Sequence, residues 1–359
     1  MSPRLHLAPH PSGQLGTQIF SASPTKIDTA LDSKMSPKTF KTSLPPEIVH
    51  HIVNSLITPA AASAIALPAS DLITKTLYSL THTCRTTYAI ATRLLYSHCL
   101  FIDSEAKLSS LLAILHRAGE NTSIDNLSEL RPSLLQHVTS LLLGPGDFRP
   151  AWGRFNPACT KIADLISMVS PHLKRIVINY DFYDAPPFFG DARSHFIQDT
   201  LPQLTSLEVF CSLQDGLYTI RRPSDNLYAW RHWPKLKKLV LWEADIHSEE
   251  FWDEVGSLED LKELMLIHQD EADVMEIRRK LRGVCGREKV LSVIFVDVLN
   301  CAGENWKLFR EGWDERPHIS IKNVATPNFN KQEENNNRIV QEWVSKTVVG
   351  GEDFSTFKL

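Results

Sequence analysis

Leu236-Lys237-Lys238-Leu239-Val240-Leu241 is the stretch on which the fold turns, because its apolar spacing recurs in five further places along the chain. The other units are Val138-x-x-Leu141-x-Leu143, Leu173-x-x-Ile176-x-Ile178, Leu204-x-x-Leu207-x-Val209, Leu261-x-x-Leu264-x-Leu266 and Val290-x-x-Val293-x-Phe295. Their middle members fall at 141, 176, 207, 239, 264 and 293, so the steps are 35, 31, 32, 25 and 29 residues. Within each unit the last two apolar residues stand two apart and share one face of a strand, while the residue between them points to the other face. Helical spacing fills several gaps: Ile162, Leu165, Ile166 and Val169; Phe251 to Leu258; Val274, Ile277 and Leu281. Strands alternating with helices imply parallel strands joined by right-handed crossovers. Such units cannot bury their apolar faces alone and are expected to stack. A compact α/β layer fits the same alternation and stays open as the alternative.

Outward from the repeat, Leu100-Phe101-Ile102 reads as a short strand, and Leu108, Leu111, Leu112 and Leu115 mark one face of a helix. Past Val298 the spacing fades into a capping helix at Asn300 to Gly312, a last strand at His318 to Val324, a polar loop at Lys331 to Arg338, and a final helix carrying Ile339, Trp343 and Val344. Toward the N-terminus, Leu44-Pro45-Pro46-Glu47-Ile48 reads as a helix start: prolines suit a first turn, whose N–H groups lack intrahelical partners, and Glu47 suits the positive end of the dipole. Ile48, Ile52 and Leu56 then recur every four residues beside Val49 and Val53. Leu77, Leu80 and Cys84 give a second helical pattern, and Tyr88, Ala91 and Leu95 a third. Residues 1–42, rich in Ser, Thr and Pro, show no sustained period and read as a tail, within which Met35 is a second candidate start.

Two resemblances follow. The six units resemble irregular leucine-rich repeats, without the Asn that usually follows the strand. Leu44-Pro45-Pro46-Glu47-Ile48, with Ile52, Leu56 and Leu80-Thr81-His82-Thr83-Cys84-Arg85-Thr86-Thr87-Tyr88, resembles an F-box over roughly residues 44–99. Together they imply a short three-helix F-box followed by an irregular leucine-rich-repeat-like solenoid, an α+β/α-β arrangement of parallel strands and helices. The expected boundaries are a tail at 1–42, an F-box-like domain at 43–99, a repeat domain at 100–325, and a polar loop with a capping helix at 326–359. The F-box resemblance implies docking on a Skp-type adaptor of a cullin-RING ubiquitin ligase, with Leu44, Pro45, Pro46, Ile48 and Ile52 in contact and Leu77 and Leu80 in support. The connection from Thr58 to Thr76 is longer than that family's usual one and is expected to loop away from the contact face.

If the strands line a concave face, Arg175, Val177, Glu208, Lys238, Val240, Glu263 and Met265 point out of it, with Tyr180, Phe210 and Trp242 near its rim. An apolar stripe with mixed charges suits a protein client better than a nucleic acid, which would want a row of Lys and Arg. A cover of loops over the same residues is the alternative. With 38 Lys and Arg against 42 Asp and Glu, the formal charge of −4 gives no general attraction to nucleic acid or anionic membrane. The six cysteines are scattered without a C-x-x-C pair, and no apolar run approaches a membrane span, so the chain reads as soluble and intracellular, cytoplasmic or nuclear.

Nucleotide, hydrolase, zinc-protease and EF-hand signatures are missing, so no catalytic residue, metal or cofactor is expected. Cys159 or Cys211 meeting a histidine in space is the one enzymatic arrangement that inspection leaves open. The sequence reading is a non-enzymatic substrate receptor holding a client protein near the ligase. A scaffold or regulator without ubiquitination is the second reading, and an enzyme with an unrecognised site the third.

Overall fold

Each apolar unit becomes a strand, and the strands pair in the order in which the chain makes them. The computed structural model describes residues 44–120, 135–144, 157–180, 196–214, 228–267, 274–284, 290–296, 319–324 and 336–350. The tail at 1–42, the capping helix at 300–312 and residues 331–335 of the polar loop lie outside them.

Four helices lead: α1 (Pro46–Asn54), α2 (Pro59–Ser63), α3 (Leu72–Leu80) and α4 (Arg85–His98). Then come β1 (Phe101–Ile102), α5 (Glu105–Glu120), β2 (Ser140–Leu143), α6 (Pro157–Val169), β3 (Arg175–Ile178) and β4 (Val209–Ser212). They are followed by β5 (Lys238–Trp242), α7 (Glu249–Ser257), β6 (Glu263–Ile267), α8 (Val274–Val284), β7 (Leu291–Val296), β8 (Ile319–Val324) and α9 (Asn336–Gly350). Among the described residues β1 to β8 form one sheet in sequential order, every neighbouring pair parallel. The alternation of strands and helices in the sequence thus becomes an α/β layer around one parallel sheet.

The strand starts repeat a single hydrogen-bond device. Lys174 and Arg175 both donate backbone N–H groups to the carbonyl of Thr139, at 2.9 and 3.1 Å; Glu208 and Val209 both donate to Lys174, at 2.7 and 3.0 Å. Lys237 and Lys238 do the same to Glu208 at 2.8 and 3.1 Å, and Lys262 and Glu263 to Lys237 at 2.9 and 3.0 Å. Register therefore passes from rung to rung although the connections differ in length.

That register corrects one unit. Ile176 pairs with Phe210 and Phe210 with Leu239, so the fourth strand carries Leu207-x-x-Phe210-x-Ser212, three residues later than the spacing predicts. Leu204 and Leu207 are buried in the turns that follow a π turn (Phe196–Thr200) and a 3-10 turn (Leu201–Gln203), which extends the apolar spacing upstream of the strand.

The alternation within each strand separates two cores. Leu141, Leu143, Ile176, Ile178, Phe210, Leu239, Leu241, Leu264, Leu266, Val293 and Phe295 share one face with Leu108 of α5, Ile162 and Ile166 of α6, Phe251 and Val255 of α7, and Ile277 and Leu281 of α8. Between β4 and β5, where the described chain forms only a 3-10 turn (Ala229–His232), aromatic side chains fill the layer. Tyr228 stacks on Trp230 at 4.3 Å and both meet Phe251 edge-on, while the buried indole N–H groups of Trp233 and Trp252 donate to the carbonyls of Leu201 and Ile246. The opposite face carries Leu142, Val177, Cys211, Val240, Met265 and Ile294, with Leu213, Trp242, Ile267 and Val296 one rung further on, and it is also buried. Among the described residues its cover is Val340, Val344 and Val348 of α9 together with Ile65 and Ala66. Asn336 to Arg338, read in sequence as loop, form the first turn of α9.

The connection between α1 and α3 is therefore not a free surface loop. Ala61, Ala64 and Leu67 pack against Ile57, Ile73 and Cys99 on the helical side, while Ile65 and Ala66 belong to the sheet-face cluster. Leu67 donates its N–H to the carbonyl of His98 at 2.7 Å. Burying Ile65 contributes about 1.5–3 kcal/mol of transfer free energy, enough to make this segment a fastening between helices and sheet.

Candidate docking surface

The first helix starts as its sequence dictates. Pro45 is the N-cap in extended conformation and Pro46 opens the first turn, with the N–H groups of Ile48 and Val49 both directed to the carbonyl of Pro45 at 3.0 and 3.2 Å. From there the helix carries two apolar stripes. Val49, Val53 and Leu56 turn inward against Leu77, Ile90, Ala91 and Leu94. Leu44, Ile48 and Ile52 are 60%, 47% and 50% exposed, whereas Val53 is 3% exposed. Sequence spacing groups Leu56 with Ile48 and Ile52, but α1 ends at Asn54 with Ser55 as its C-cap. Leu56 lies in the turn beyond, its N–H donating to the carbonyl of Val53, and packs on the inner side.

Single exposed apolar side chains are ordinary on proteins; a stripe along one helix face is a candidate docking surface. Pro45 and Pro46 are exposed beside it. Leu77, expected to support the contacts, is fully buried in the helical core, and Leu80 is half-buried against it. Leu77 is thus a packing residue and not a contact. Arg93 Nη2 donates to Asn54 Oδ1 at 3.0 Å and lies 3.3 Å from His50 Nε2, locking α1 onto α4. Cys84 does not continue α3. It is the N-cap of α4, its N–H donating to Thr87 Oγ1 at 3.2 Å, and hydrogen bonds from Thr87 hold its exposed thiol below the ordinary range.

At the strand starts, Arg175, Glu208, Lys238 and Glu263 are half-buried and largely committed to one another or to the fold. Glu208 Oε2 accepts from Lys237 Nζ at 2.7 Å and its Oε1 lies 3.6 Å from Lys174 Nζ; the Lys237 hydrogen bond holds the carboxyl below the ordinary carboxylate value. Lys238 pairs with Glu263 at 2.7 Å. Arg175 donates from Nε to Ser140 Oγ and from Nη1 to the carbonyl of Ala62, both at 2.8 Å. Because the fourth strand starts at Val209, Glu208 lies one residue before the row of Arg175, Lys238 and Glu263.

Val177, Val240, Trp242 and Met265, expected on an open concave face, are buried beneath α9 and the Ile65-Ala66 segment. A sheet apolar on both faces needs two covers, and this chain supplies the second itself. Tyr180, expected at a rim, is buried too, and Phe210 belongs to the helix-side core.

For chemistry, burial pushes the Cys211 thiol far above its ordinary value, and a protonated thiol enclosed by apolar side chains is a poor nucleophile. The side chain of Cys159 lies outside the described residues. Among the described residues no three His, Cys, Asp or Glu side chains converge to hold a metal ion, and no helix is long and apolar enough to cross a membrane. No protein-family model matches the chain, and no curated protein matches it.

Proposed function

We propose that this chain is the substrate-recognition subunit of a Skp-adaptor, cullin-RING ubiquitin ligase, with residues 44–99 acting as an F-box and the parallel sheet as an irregular leucine-rich-repeat array. The observation that carries the reading is the outer stripe of α1: Leu44, Ile48 and Ile52 stay exposed while Val49 and Val53 supply the packing that the fold needs. An adaptor groove would cover that stripe, with Pro45 and Pro46 at its edge. Repetition of the same paired donors at the starts of β3 to β6 supports the repeat reading. The chain would perform no bond-making step itself; it would hold a client, and other subunits would transfer ubiquitin.

The test is capture of a Skp-type adaptor by the full chain, compared with the double variant Leu44→Ala/Ile48→Ala. Loss of capture with an unchanged melting temperature supports the F-box; equal capture by both contradicts it. The covered apolar face favours a second reading, an adaptor-bound scaffold or regulator without ubiquitination, since the band expected to hold a client is occupied by the chain's own α9. Ubiquitin transfer to a co-captured protein in the reconstituted complex separates the two.

A further inference from the structure

Both faces of the sheet are packed, whereas several residues just ahead of its strands keep their side chains in water. The paired backbone donors that set the register also line these residues up: Thr139, Lys174, Glu208, Lys237 and Lys262 each stand one hydrogen-bonded rung from the next. Neighbouring rungs are about 4.8 Å apart, so Lys174 and Lys237 flank Glu208, and Lys262 follows Lys237. Lys174 and Lys237 both reach the Glu208 carboxylate, yet keep 55% and 49% of their side-chain surface exposed. Lys235, two residues ahead of Lys237, is exposed too, and among the described residues neither it nor Lys262 has an ion-pair partner. Glu259 and Asp260, exposed in the turn before β6, close the row at that end, where Asp260 acts on Lys237. The row is thus positive from β3 to β5 in a chain whose formal charge is −4. The fold gains little from it, because exposed ion pairs contribute little stability and like charges on neighbouring rungs repel each other.

We propose that this row of strand starts is where a client protein binds, and that the client presents an acidic, extended segment. Its carboxylates would run from strand to strand across Lys174, Lys237 and Lys262, with Lys235 beside them. An extended chain covers the two rungs from Lys174 to Lys237 in about three residues. Glu208 is the internal competitor, since it already holds both of those lysines. Complementary charge of this kind sets encounter rate and register more than raw affinity. Nucleic acid suits the row less well: Glu208 interrupts the lysines, and among the described residues of β3 to β6 and the turns before them no Phe, Tyr or Trp side chain is exposed for bases to stack on. The inference rests on the client-binding half of the proposed function; adaptor capture through α1 is read separately, so that failure of one is distinguishable from failure of the other.

The test uses the full chain and a fluorescent peptide of about eight residues that alternates glutamate with serine, long enough to cross the row. The same peptide with glutamine in place of glutamate is the control. The wild type is expected to bind the glutamate peptide, more tightly as salt is lowered, and to ignore the control. Glu208→Gln, which releases Lys174 and Lys237, is expected to bind it about threefold more tightly; Lys235→Gln/Lys262→Gln, which removes two lysines that hold no ion pair, about fivefold more weakly. Both variants are expected to leave adaptor capture as it is in the wild type. The second variant alters exposed side chains alone, so the test stays decisive if Glu208→Gln disturbs the fold. No binding by the wild type, equal binding of the control peptide, or unchanged affinity in Lys235→Gln/Lys262→Gln would overturn the proposal. Tighter binding of an oligouridylate of the same length than of the glutamate peptide would assign the row to nucleic acid and overturn it as well.

Discussion

Arg175 of β3 donates from Nη1 to the carbonyl oxygen of Ala62 at 2.8 Å, while its Nε donates to Ser140 Oγ, also at 2.8 Å. One guanidinium therefore fastens the segment between α1 and α3 to two neighbouring strands. Replacing it with alanine removes two charged hydrogen bonds and leaves their acceptors facing a half-buried gap. Arg175→Ala is expected to lower stability by about 2–3 kcal/mol, read as a reduced urea midpoint. Arg175→Lys is expected to recover less than half of that, because an ammonium cannot reproduce the fork that reaches both acceptors.

Leu77 and Ile48 are both apolar helix residues of the N-terminal region, but their surroundings assign them opposite roles. Leu77→Ala opens a cavity among Val53, Ile90, Ala91 and Leu94 and is expected to cost about 2–5 kcal/mol. Ile48→Ala trims a side chain that is half exposed and lies outside the helical core, and is expected to change stability far less, by about 0.5 kcal/mol. Thermal or urea melts of the two variants check the contrast; equal losses would show that the outer stripe is packed in solution.

How much of this the sequence carried depends on what sets each residue's surroundings. The strands at Leu141, Ile176, Leu239, Leu264 and Val293 were legible because period-two alternation is a local property of one strand. The fourth strand was misplaced because Leu204 and Leu207 in the preceding turns extend the same spacing, and because Ser212 takes the last ladder position in place of an aliphatic residue. Closure of the second sheet face stands in the sequence only as an alternative, a cover of loops, whereas the cover described is a helix and the Ile65-Ala66 segment. Leu142, Val177, Val240, Met265 and Ile294 make the strands apolar on both sides, the pattern of a parallel sheet covered on both faces. Ile65-Ala66-Leu67, an apolar run between Pro59 and Pro68, was a second such signal. What no local pattern reveals is which distant segment supplies a cover, since docking of α9 or of Ile65 is decided by tertiary packing.

Gly144 has φ +86°, and a Cβ there would lie 2.0 Å from the carbonyl oxygen of Asn179. The turn leaving β2 and the turn leaving β3 thus approach too closely for any side chain. Gly144→Ala combines a left-handed backbone penalty with a clash against main chain, and it is expected to lower stability by roughly 2–4 kcal/mol. A melting temperature within a degree of wild type would contradict the close approach.

His98 and His137 stand at the junction of α4 with the sheet. Burial, followed by the Arg175 charge, pulls the His98 pKa below its ordinary value; burial, followed by Arg93 and His172, does the same for His137. Each ring is thus favoured neutral in the folded chain, while the unfolded chain takes up its protons near pH 6.5. Below that pH the unfolded state binds more protons, so stability is full above about pH 6.5 and falls as the pH drops toward the folded pKa values. The urea midpoint is expected to be lower at pH 5.5 than at pH 7.5, and the difference to shrink in His98→Gln/His137→Gln. An unchanged difference in that variant would assign the effect to other groups.

The central claim is that the outer stripe of α1 exists to be covered by an adaptor. The most direct measurement is binding of the purified full chain to a Skp-type adaptor by titration calorimetry, for wild type and for Ile48→Asp/Ile52→Asp. The account predicts binding by the wild type, loss of at least a hundredfold in affinity for the variant, and melting temperatures within about 2 °C of each other, since the two side chains lie outside the core. Equal affinity for the two chains, or no binding by the wild type, would contradict it.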